Sequence, residues 1–107
     1  MIKLPNLDWF MGMLKFRGDG NIFSGSAGCD PFYGFDVDKT FRYRVWVEKI
    51  DDDYKLKAAH YCGIYNYEST DKSIVTESIF DADENGILNA QLWLQTAETQ
   101  ALEKFNS

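Results

Sequence analysis

Histidine occurs once and cysteine twice in this 107-residue chain. Any Ser–His or Cys–His chemistry would therefore have to run through His60. Two thiols cannot build the dense disulfide framework of a small secreted domain, so Cys29 and Cys62 read as reduced side chains. Whether the two lie close enough to bridge stays open from sequence. Long apolar runs are also missing. No stretch reaches the roughly 18 residues that a membrane-spanning helix needs, and "MIKLPNLDWF" lacks the central apolar run of a signal peptide. The expected location is the cytoplasm. Positive charge is in deficit too: 11 Lys and Arg stand against 17 Asp and Glu, for a net charge of −6. Such a surface repels nucleic-acid backbones, which argues against nucleic acid as a partner. Internal repeats, low-complexity tracts and linkers are absent.

What the chain does hold is apolar and aromatic material, at 45% and 16% of residues. Disordered chains lack that content. The expectation is one globular domain over residues 1–107, burying roughly 65% of its unfolded surface around one core.

The first half reads as strands. "DWFMGMLKF" (Asp8–Phe16) is short and apolar and precedes the turn signal "RGDGN". "NIFSGSA" follows as a short return strand. In "TFRYRVWVEKI" (Thr40–Ile50), Phe41, Tyr43, Val45 and Val47 alternate with Arg42, Arg44, Trp46 and Glu48, predicting a half-buried strand. Asp51–Asp53 offers a tight turn, and Tyr54–Tyr67 returns as a hairpin partner with a bend or bulge at Gly63. "SIVTESIF" (Ser73–Phe80) is a further strand. The period then changes. Ile87, Ala90, Leu94, Ala97, Ala101 and Phe105 fall on one stripe of a helix, with alanines small enough for close approach to a sheet. The predicted class is α+β: an antiparallel sheet of about five strands, covered on one face by a single C-terminal helix.

Five stretches are candidates for function. "SGSAGCDPFYGFD" (Ser24–Asp36) is rich in glycine, but Pro31, Phe32, Tyr33 and a strand follow rather than a helix N-terminus. No G-K-[ST] is present, so it reads as a turn and not a phosphate cradle. If it is functional, Phe32, Tyr33 and Phe35 form a contact surface. In "FDADENGIL", Asp81, Asp83, Asn85 and Gly86 match the opening of a calcium loop. Leu92 stands where the bidentate Glu belongs, and the preceding element reads as strand. Asp81 as helix N-cap with Glu84 three residues on is the simpler reading. His60 and Cys62 share one strand face and, with Cys29, have the elements of a thiol–imidazole pair, but no spacing typical of zinc is present.

Arg42, Arg44 and Trp46 form a basic-aromatic face that Lys15, Arg17, Lys55 and Lys57 would extend; pairing with Glu48 or Glu77 explains the cations as well. Leu88 and Leu92 lie off the helix stripe, with Trp93 at the opposite edge. Either a second copy of the chain covers them or loop residues such as Phe32 or Trp9 do. No motif calls for a cofactor or metal.

The expected function is a non-catalytic module that binds a protein partner, which the sequence does not name; a second copy of the chain, meeting it through Leu88 and Leu92, is one such partner. Its other contact residues are Phe32, Tyr33, Phe35, Arg44 and Trp46, the last two on an exposed sheet face. Two other classes are an acidic nucleic-acid mimic acting through its Asp clusters and a thiol enzyme using Cys62 and His60.

Overall fold

The computed structural model describes residues 2–12, 21–27, 41–63 and 67–105, without the side chains of Ala27, Lys104 and Phe105. Its elements in chain order are α1 (Leu7–Met11), β1 (Phe23–Ala27), β2 (Phe41–Ile50), β3 (Asp53–Cys62), a 3-10 turn (Lys72–Ile74), β4 (Thr76–Asp81) and α2 (Glu84–Phe105). The strands form one antiparallel sheet in the order β1-β2-β3-β4. The class is α+β, and the C-terminal helix packs across β2, β3 and β4.

The strand count is four among the described residues, because the strand predicted from Asp8 is a helical turn where it is described. Asn6 caps it, its Oδ1 accepting the Trp9 N–H at 3.0 Å. Leu7, Phe10 and Met11 face the core, at the three- and four-residue spacing of a helix. A short apolar run satisfies a helix or a buried strand equally, and here packing decides. Residues 13–16 of that prediction lie outside the described residues.

The hairpin between β2 and β3 closes at Ile50 and Asp53 through Asp51 and Asp52, both with positive φ (52° and 67°). A two-residue loop needs that conformation to match the strand twist, and Asp tolerates it better than most side chains. The strand expected to run on to Tyr67 stops at Cys62, and Gly63 follows at φ 152°. Ser73 and Ile74, predicted as strand, belong instead to the 3-10 turn, which Asp71 caps by accepting the Ser73 N–H at 2.9 Å.

Alternation in β2 sends Phe41, Val45 and Val47 into the core with Leu56 and Ala58 of β3. Ile87, Ala90 and Leu94 meet them from α2, and Ala97 and Ala101 pack alongside. Leu94 and Ala90 are fully buried: the alanine lets the helix come close to the sheet, and the leucine fills the core beside it. A line of aromatic contacts crosses this inner face from Trp9 through Phe23, Tyr43, Phe41, His60 and Trp93 to Phe80. Successive ring centroids are 4.9 to 6.3 Å apart.

The N-terminal segment is tied to α2 by three helix side chains. Gln95 accepts the Ile2 N–H at 2.7 Å, Gln91 that of Leu4 at 2.9 Å, and Glu84 that of Leu7 at 3.2 Å. The match is geometric. Four helical residues rise about 6 Å and two extended residues about 6.7 Å, so glutamines one turn apart meet alternate amides of an extended chain.

Candidate functional site

The sheet face away from α2 is where Arg42, Arg44 and Trp46 point. Register places Ser26 opposite Arg42 and Ser24 opposite Arg44 on β1. On the other side, β3 sets Tyr61 beside Arg42, Ala59 beside Arg44 and Lys57 beside Trp46. β4 adds Glu77 next to Ala59 and the exposed Ile79 next to Lys57.

Arg44 and Trp46 do not lie on an open surface, contrary to the expectation. Trp46 is only 9% exposed. Tyr67 lies against Trp46, their ring centroids 5.3 Å apart. One side of the Tyr67 ring meets the Arg44 guanidinium, 4.5 Å from the ring centroid, and its hydroxyl donates to Glu77. The guanidinium also sits 4.9 Å from the Trp46 ring centroid and pairs with Glu68. Lys72 approaches the same tyrosine at 4.3 Å and donates to the carbonyls of Tyr67 and Thr70. Burial and the bond to Glu77 push the Tyr67 phenol up to about 12, so it stays a neutral donor. Arg44 Nε is buried and has no hydrogen-bond partner. Such a donor costs about 1–3 kcal/mol, which contact with two aromatic faces offsets in part.

The remaining cations of this face are engaged as well. Lys57 pairs with Glu48 at 3.3 Å and Glu77 at 3.6 Å, and Lys55 with Asp81 at 3.3 Å and Asp53 at 3.8 Å. These pairings replace the basic platform that stacked nucleotides would require. Lys15 and Arg17 lie outside the described residues. Asp53 and Asp81 meet at Lys55, which brings two of the acidic clusters to one end of the sheet with a cation between them.

Beside the Arg44 cluster, β1, β2 and the chain at 67–68 enclose a solvent-open groove of about 380 Å³. Ser24, Ser26, Arg42, Arg44, Tyr61, Tyr67 and Glu68 line it. Arg42 is held in place by its Nε, which donates to the Gly63 carbonyl at 2.8 Å. Periodicity alone found the arginines but missed the groove, because Glu68 and Tyr67 reach it from a turn with no sequence pattern of its own.

His60 belongs to the inner face, its ring centroid 5.6 Å from Phe41 and 4.9 Å from Trp93. Burial lowers its pKa, which makes it a weaker base for activating a thiol. Cys62 is exposed at the end of β3. Cys29, Phe32, Tyr33 and Phe35 lie outside the described residues.

The helix cap is Asp83, two residues later than expected. Its Oδ1 accepts the Gly86 N–H at 2.6 Å, and its carbonyl accepts that of Ile87 at 3.0 Å. Asp81 ends β4 and pairs with Lys55, so the carboxylates of the half calcium motif already have other partners. Among the described residues no group of three or more His, Cys, Asp or Glu side chains is placed to hold a metal. On the outer stripe of α2, Leu88 and Leu92 are 53% and 55% exposed. No helix among the described residues is long and apolar enough to cross a membrane.

Comparison with known protein families, with curated proteins and with solved structures found no match to this chain.

Proposed function

We propose that this chain is a non-catalytic protein-binding module that pairs with a second copy of itself through the outer stripe of α2. The observation that carries the reading is the exposure of Leu88 and Leu92, one turn apart on a helix whose opposite stripe is buried. Leucine fully withdrawn from water is worth about 1.5–3 kcal/mol per side chain. Two leucines at i and i+4 form a ridge that fits the groove of an identical helix, as a two-fold contact requires. Phe32, Tyr33 and Phe35 are the second set of contact residues in this reading.

Light scattering on a sizing column tests it. Wild type elutes with the mass of two chains, and Leu92→Glu, which alters an already exposed position, elutes as one chain with an unchanged circular dichroism spectrum and a melting temperature lower only by what the lost association contributed. Phe32→Ala with Tyr33→Ala weakens the association. A wild-type mass of one chain at every concentration up to the millimolar range would remove the reading.

A further inference from the structure

The groove on the sheet face opposite α2 is built from different residues and faces away from Leu88 and Leu92. Its floor is an array of registered pairs. Ser24 stands opposite Arg44 and Ser26 opposite Arg42, and on one strand face the two arginines are about 6.7 Å apart along the chain. All four side chains line the groove, and Tyr61 and Tyr67 add aromatic walls.

We propose that this groove is a binding site for a small organic phosphate monoester carried on a flat ring. Three observations lead there. The first is charge: two guanidinium groups share the groove with one carboxylate, so it is locally positive within a chain of net charge −6. The second is what already occupies Arg44. Glu68 holds a carboxylate oxygen against its Nη1, from a side chain that is 67% exposed and anchored in a turn. Arg44 lowers the pKa of Glu68, so this carboxylate is ionised at neutral pH. It acts as an internal anion at the position a ligand anion would take, and Glu68 is the solvent-exposed member of the pair, where water screens its hold on Arg44. An incoming anion can therefore displace it.

The third observation is size and valence. With Glu68 swung out, two guanidinium groups and two hydroxyls face the groove. A dianion with three terminal oxygens uses that donor set more fully than a monoanionic carboxylate does. A volume of about 380 Å³ suits a small molecule, and the tyrosines offer a ring something to lie against.

Calorimetric titration with phenyl phosphate tests the site, with phenol, benzoate and inorganic phosphate as comparators. Arg44 is woven into the Trp46–Tyr67 cluster, so the informative variants are Arg42→Gln and Glu68→Gln, each checked for a wild-type melting temperature. Phenyl phosphate binds wild type more tightly than any comparator does. Arg42→Gln weakens it about tenfold, as loss of a charge-assisted contact implies. Glu68→Gln tightens it about two- to fivefold, because the competing carboxylate is gone. A purely structural Glu68 would give no tightening. Affinity unchanged in Glu68→Gln, or phenyl phosphate bound no better than phenol, would overturn the site. Benzoate bound as tightly as phenyl phosphate would overturn the assignment of a dianion.

Discussion

A Cβ atom placed on Gly86 would lie 1.7 Å from the carbonyl oxygen of Asp81. The last residue of β4 and the first turn of α2 are in backbone contact there, so the glycine is required by closeness rather than by an ion. At an open helical position alanine would be favoured over glycine by about 1 kcal/mol. Here Gly86→Ala destabilises by at least about 2 kcal/mol, because backbone must move to admit the methyl group. Urea unfolding measures this, and a variant as stable as wild type would contradict the packing of the β4–α2 junction.

The glutamines of α2 give a second prediction. Gln95→Ala frees the Ile2 N–H and Gln91→Ala that of Leu4. Each loss costs about 1 kcal/mol, the usual net worth of such a bond. The urea midpoint falls in each variant with the slope unchanged. A smaller loss in the double variant than the two singles sum to would show that the segment docks as a unit, because the first loss already releases part of it.

His60 makes stability depend on pH in a defined direction. Its folded pKa lies below the usual 6.5 because burial disfavours the charged ring. Between that lowered value and 6.5 the unfolded chain binds more protons, so stability rises with pH there. The contribution is present above about pH 6.5 and is lost as pH falls through the folded value. His60→Phe keeps a ring between Phe41 and Trp93 and removes the titration. Denaturation from pH 8 to pH 5 then shows a shallower acid loss in the variant. Parallel curves would contradict the buried, neutral ring.

The alternation in β2 and the stripe in α2 were legible in the sequence because burial acts directly on period. Phe41, Val45 and Val47 lie inward and Arg42, Arg44 and Trp46 outward as read, and Ile87, Ala90 and Leu94 are buried. Period could not decide the segment from Leu7 to Met11, which is too short and apolar to distinguish helix from strand. Nor could it tell which of two aspartates two residues apart caps α2; β4 takes Asp81 and leaves the cap to Asp83. The cover over Trp46 and Arg44 comes from Tyr67 and Glu68, more than 20 residues away along the chain. Nothing local to β2 records that contact. Gln91 and Gln95 look solvent-facing by composition, yet they bind the N-terminal backbone.

Pairing through α2 is tested most directly by intermolecular nuclear Overhauser contacts in a mixture of isotope-labelled and unlabelled chains. Leu88 and Leu92 methyl groups of one copy should show contacts to the same α2 stripe of the other, as a two-fold interface demands. Leu92→Glu should abolish them. If the filtered spectrum holds no such contacts at millimolar concentration, or places them on another surface, the proposed pairing through α2 is contradicted.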